Sequence, residues 1–234
     1  MSCGLVIAGC LSGEKDDAGV EALVGELSRA VGADVTVRAR TGGRPVGATV
    51  PEALCELRAA GVGSALVVTT HLVDGRLTRL CAEAVRDAAP GFESLRLAPA
   101  LLAGAGDRLV VASALDRALP ARPGRVVALA GHRGRECAAA FDQLGRALAG
   151  LGREDVVVGT PESLPGLLEA RAEGEVLLAP LLMALGTHAR RDVLAGLAGR
   201  LRASGTFVTP WPHSLSELPA VRELVVAHAL STLE

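Results

Sequence analysis

The stretch RVVALAGHRGRE, residues 125–136, decides how the chain is read. RVVALA is a short apolar run rich in β-branched residues, of a length that suits a strand buried on both faces. Gly131 punctuates it, and the amphipathic run ECAAAFDQLGRALAG (136–150) follows with helical periodicity. Strand, tight turn and helix make one βα unit, and its turn carries His132.

Downstream the same alternation continues through DVVVGT (155–160), a short helix, EVLLAPLL (175–182), a helix near His188, GTFVTP (205–210) and a last helix. Upstream of the breaker PARPG (120–124) it occurs as well. GLVIAG (4–9) precedes a helical stretch from about Glu14 to Val31, followed by DVTVRA (34–39), PEALCELRAA (51–60) and SALVVTT (64–70). RLTRLCAEAVRDA (76–88), SLRLAPA (94–100) and DRLVVASALDRAL (107–119) complete the half. Ala8-Gly9-Cys10 and Ala130-Gly131-His132 each follow an apolar strand 122 positions apart, and SALVVTTHLVDG resembles EVLLAPLLMALG. The halves thus read as a duplication, with an N-terminal α/β lobe over 1–122 and a C-terminal lobe over 123–234. Right-handed crossovers imply an open parallel sheet in each, and we expect a ligand cleft between the two.

Composition narrows the function. Half of the residues are hydrophobic, yet there are three Phe, one Trp and no Tyr, so Ala, Val and Leu must fill the core. With 24 basic and 26 acidic side chains, the charge favours neither a nucleic acid nor an anionic membrane as partner. Five cysteines without a CxxC pair suit a reducing compartment better than a disulfide framework. No apolar run approaches the length of a membrane span and the N-terminus lacks a signal-peptide pattern, so a soluble, cytoplasmic protein is expected.

Parallel sheets present ligand-binding groups at the carboxyl ends of their strands. In the second half those positions hold His132 after RVVALAG, Glu162 in GTPES after DVVVGT, and His188 in LGTH after EVLLAPLL. Two imidazoles and a carboxylate suit a divalent first-row transition metal and leave coordination positions open. Each also has an ordinary reading, as a group lining a βα turn or favoured by a helix dipole. Gly131-His132-Arg133-Gly134 matches neither GxGxxG nor a Walker loop, so no nucleotide cofactor is expected. Ser12, His71 and Asp74 lack the GxSxG elbow of a hydrolase. Trp211, between two prolines after the last strand, is a candidate to stack on a planar ligand or simply to pack.

At these residues the sequence resembles the class II chelatases of the anaerobic sirohydrochlorin cobaltochelatase family, over most of residues 125–234. GHRGRE, ESLP (162–165), PLLMALGTHA (180–189) and TPWPHSLSELPAVRELVVAHAL (209–230) are similar, in order, to the family's GHG turn, Glu-x-x-Pro element, PLM…AGDHA segment and closing TPW…VAHL. The resemblance implies ATP-independent insertion of a divalent metal into sirohydrochlorin or a related tetrapyrrole. Cobalt is the first expectation, with nickel or iron as alternatives. It also implies His132, Glu162 and His188 as metal ligands, the two histidines being catalytic. Arg133 and Arg190, with Arg135 and Arg191 beside them, become candidates for the substrate's carboxylates.

Two departures stand out. Arg133 replaces the last glycine of the GHG turn, with Glu136 near where the family often has another histidine. In the first half, Arg76 and Leu77 follow Gly75 where an acidic residue is expected. They leave open a rival reading, a protein that holds metal or finished metallotetrapyrrole for delivery without turnover. Cys10, equivalent to His132, reads either as an additional soft ligand or as an inert thiol. The oligomeric state, a homo-oligomer included, stays open.

Overall fold

The computed structural model describes residues 2–9, 17–42, 47–171 and 174–234. They form two compact units. In the first, strands β1 (Cys3–Gly9), β2 (Val35–Arg40), β3 (Ser64–Thr69) and β4 (Ser94–Leu97) make a sheet in the order β2-β1-β3-β4, every pair parallel. Helices α1 (Ala18–Val31), α2 (Val50–Ala59) and α3 (Arg76–Ala88) connect them. Local chemistry sets several ends. Asp17 caps α1 by accepting from the backbone N–H groups of Gly19 and Val20, and Gly32 closes that helix at φ 62. Thr49 and Glu52 form a capping box at the start of α2.

The second unit opens with α4 (Ala105–Ala118) and continues through β5 (Arg125–Ala130), α5 (Arg135–Gly150), β6 (Val156–Gly159), α6 (Leu164–Glu169) and β7 (Glu175–Pro180). A π-helical segment (His188–Leu197) runs into α7 (Ala198–Ala203), and β8 (Phe207–Pro210) follows. The strand order is β6-β5-β7-β8, again wholly parallel, so the two sheets share one topology. Their register agrees too. Ala8 pairs with Thr69 as Ala130 pairs with Pro180, and the next N–H in each case, of Thr70 or Leu181, donates to that alanine's carbonyl. The expected fold class, two similar parallel α/β lobes, is therefore present.

Each central strand is buried on both faces, with Leu5, Val6 and Ile7 in β1 and Val127, Ala128 and Leu129 in β5 fully covered. The cores around them are aliphatic, as the scarcity of aromatics requires. In the second unit Val126, Ala128, Val157, Leu178, Val193 and Leu197 belong to one cluster. At the end of each central strand a glycine makes room for another side chain. A Cβ on Gly9 would fall 1.8 Å from Thr70 Oγ1, and one on Gly131 would fall 2.1 Å from Phe141 Cζ.

The compact units do not divide at residue 122. The first comprises Met1–Ala103 with Arg222–Glu234, and the second Gly104–Val221. Arg153 gives a physical reason for the place of α4. Its buried guanidinium donates to the Leu119 carbonyl at 2.8 Å and to the Asp116 carboxylate at 3.0 Å, beside the end of that helix. It also forms a forked pair with Asp155, at 2.8 and 2.9 Å, just before β6. The closing helix α8 (Pro219–Leu233) is tied to the first unit by Arg222 with Glu26 (2.9 Å), and by Arg96 donating to the Thr232 carbonyl. Among the described residues no helix is long and apolar enough to cross a membrane.

Candidate metal site

From β5 the chain crosses to β6 on one side and then returns to β7 on the other. Such a reversal leaves a crevice outside the carboxyl ends of the two adjacent strands. His132 stands two residues beyond β5, and His188 opens the π-helical segment that follows β7. Their rings meet edge to face, with centroids 5.6 Å apart and planes at 75°. A metal about 2.0–2.1 Å from an imidazole nitrogen lies roughly 3.2 Å from that ring's centroid. Two imidazoles on one tetrahedral ion would therefore have centroids roughly 5.2 Å apart. The observed spacing is close to that.

The two histidines differ in setting. His132 is half-buried, and burial first, then the charge of His188, lowers its pKa, so its neutral form is favoured. His188 is exposed, and its Nδ1 lies 2.8 Å from Asp192 Oδ2, one turn along the π-helical segment. Asp192 has its pKa lowered, chiefly by the hydrogen bond from His188 and then by the charges of His188, Arg133 and Arg191. A carboxylate only accepts, so Nδ1 carries the proton and the neutral ring keeps its lone pair on Nε2. Asp192 was not among the residues singled out from sequence, although a carboxylate four positions after a histidine on a helix was the available signal.

The π-helical segment has one close approach that a glycine allows. A Cβ on Gly196 would lie 2.9 Å from the carbonyl oxygen of Arg191, five residues back, so only glycine admits this close approach without a shift. Short π-helical pieces recur at functional sites because they re-aim side chains.

Glu162 is held elsewhere. It sits in a turn made by Thr160 and Ser163, where each residue's N–H donates to the other's hydroxyl, and the Pro161 carbonyl accepts from Arg200. Its Oε1 takes Arg133 Nε at 2.9 Å. Glu162 lines an apolar-walled cavity of about 560 Å³ with Phe141, Val158 and Leu167. The histidines and Asp192 line a second cavity of about 200 Å³, and Arg133 borders both. Among the described residues, no three or more His, Cys, Asp or Glu are grouped to hold a metal ion. The structure thus brings together His132 and His188 and leaves Glu162 paired with Arg133.

The other candidates fall nearby or apart. Trp211 follows β8 at the same edge of the sheet, half-buried, with its ring 4.6 Å from that of His213. The Arg190 Nε donates to the Leu185 carbonyl at 2.8 Å. His71 is buried between the hydroxyls of Thr41 (2.9 Å) and Thr78 (3.2 Å), as a satisfied core histidine. Cys10 and Ser12 lie outside the described residues. Cys3, Cys55, Cys81 and Cys137 are free thiols, and burial pushes that of Cys81 up to about 11.

Two sheets of one topology, the second with an imidazole pair at its switch point, define a duplicated α/β protein with a candidate transition-metal site. A family model described as cobalt chelatase (CbiK) matches residues 36–234, and the chain belongs to that family. It is 31% identical over 189 residues to the sirohydrochlorin cobaltochelatase of Salmonella typhimurium, an alignment covering 76% of this chain and 71% of that protein. Among solved structures it is similar to the sirohydrochlorin chelatase SirB of Bacillus subtilis subspecies spizizenii in complex with cobalt. There the TM-score is 0.68 at 15% identity, over 99% of this chain and 95% of the other. SirB of Bacillus subtilis with Fe³⁺ gives 0.67 at 15% identity, over 99% and 96%. At such identity the likeness is one of fold.

Proposed function

We propose that this protein inserts a divalent metal, cobalt first, into sirohydrochlorin or a closely related tetrapyrrole, with His132 and His188 carrying the metal to the macrocycle. The observation that carries this reading is the imidazole pair at the β5/β7 switch point, spaced for one ion. Membership of the cobalt chelatase family and the activity named for the Salmonella relative support the choice of substrate.

The chemistry exchanges one M²⁺ for two pyrrole N–H protons. Neutral imidazoles offer the metal two lone pairs, and the lowered pKa of His132 keeps its own available near neutrality. As each metal–imidazole bond passes to a pyrrole nitrogen, a ring nitrogen is freed beside a proton that must leave. Two imidazoles can thus accept the two protons and release them to water. The Asp192 carboxylate steadies the imidazolium formed on His188. Glu162 supplies the third, anionic ligand once it leaves Arg133. Half-buried Trp211 would stack on the ring, and the exposed side chain of Arg190 would meet its carboxylates.

Anaerobic mixing of sirohydrochlorin, Co²⁺ and protein, followed by absorbance, tests the assignment. Turnover by the wild type, and its loss in both His132→Ala and His188→Ala, is expected. Wild-type rates in either variant would overturn it. Binding without turnover would favour the rival role of a delivery protein. Parallel runs with Ni²⁺ and Fe²⁺ decide the metal, since imidazole suits all three.

A further inference from the structure

We propose that Arg133 is a displaceable internal cation that holds Glu162 away from the imidazole pair, so that an incoming metal must exchange with its guanidinium to complete the site. This rests on the reading of His132 and His188 as the metal-binding pair.

Three observations converge on it. Arg133 stands next to His132, where the resemblance places the last glycine of a GHG turn. Its Nε is 2.9 Å from Glu162 Oε1. It lines both the cavity that contains Glu162 and the one that contains the histidines.

The pair is built to open. The side chains of Arg133 and Glu162 are 62% and 54% exposed, and water screens an ion pair that open. A dication offers the carboxylate a stronger partner, and the departing guanidinium finds water at little cost. A metal that is a substrate has to leave again. A nearby guanidinium that competes for one ligand weakens the hold on the ion and favours its transfer to the macrocycle. A glycine at position 133 would provide no such competitor.

Titration calorimetry with Co²⁺ on the full chain tests this with Arg133→Gln, Glu162→Gln and the double variant, beside His132→Ala and His188→Ala. Arg133→Gln should tighten binding about fivefold, which is ~1 kcal/mol. Glu162→Gln should weaken it, and in that background Arg133→Gln should have no further effect. In steady state Arg133→Gln should lower KM for Co²⁺ without raising kcat. Unchanged or weaker binding by Arg133→Gln would overturn the proposal. So would the same gain in the Glu162→Gln background, because the effect would then be general repulsion of cations and not a contest for Glu162. If both histidine variants bind Co²⁺ as the wild type does, the imidazole site itself is refuted and the proposal with it. Altered binding in those variants beside an indifferent Arg133→Gln refutes the role of Arg133 alone.

Discussion

Gly131→Ala should damage the fold and the site together, by an amount that can be worked from one contact. A Cβ at position 131 would meet three atoms of the Phe141 ring at 2.1, 2.6 and 3.0 Å, against 3.4 Å for the start of ordinary contact. The ring or the end of β5 must therefore give by about 1.3 Å. Phe141 is only 2% exposed and borders the cavity of about 560 Å³, so its ring can yield only toward that side. Overpacking of this kind costs about 1–3 kcal/mol. In a chain of this length each kcal/mol lowers Tm by roughly 2–4 °C. Because His132 is the next residue, the strain should also displace its ring, and Co²⁺ affinity should fall with stability. Urea unfolding of Gly131→Ala, Phe141→Leu and the double variant is the assay. Leucine is shorter where the ring intrudes, so the double variant should be more stable than the two single losses predict, with a coupling of about 0.5–3 kcal/mol. Additive losses, or a Gly131→Ala protein as stable as the wild type, would refute the packing explanation.

Three other outcomes follow from the same geometry. Asp192→Ala should weaken Co²⁺ binding about 10- to 100-fold, read from the cobalt absorption bands, whereas Asp192→Asn should lose less because its amide oxygen still accepts from His188 Nδ1–H; equal losses would contradict orientation by the carboxylate. Gly196→Ala should destabilise the protein in urea, although the same change inside an ordinary helix stabilises by about 1 kcal/mol, because the new methyl meets the Arg191 carbonyl at 2.9 Å; a gain in stability would exclude the π-helical register. Asp155 carries a pKa depressed mainly by its hydrogen bonds from Arg153, so its contribution is fully present above the ordinary carboxylate value of about 3.9 and is lost as pH falls toward the folded-state value. Asp155→Asn should accordingly be less stable at pH 7 by about 1–3 kcal/mol, a gap that unfolding curves should show closing below roughly pH 4.

Much of the architecture was readable along the chain because its signals are local. Runs such as GLVIAG and RVVALAG announce buried strands by length and composition, and the helices between them by period, since backbone hydrogen bonding and burial act over a few residues. The spacing of Ala8-Gly9-Cys10 and Ala130-Gly131-His132 announced the repeat, and the matching strand orders and registers agree with it. Placement after successive strands likewise singled out His132 and His188, because parallel sheets expose function at their carboxyl ends.

Tertiary structure decided what depends on partners distant in sequence. No local pattern says that Arg153 will be buried against the end of α4 and Asp155, or that the closing helix will join the first unit; both follow from which charges the folded chain brings within reach. Nor does spacing disclose that Phe141 fills the space where Gly131 has no side chain. Glu162 shows the division most clearly. Its residue type and position after a strand made it a candidate from sequence, but whether a carboxylate faces a metal or an arginine is a competition between charges in space. In this structure Arg133 holds it, because the two side chains meet at 2.9 Å.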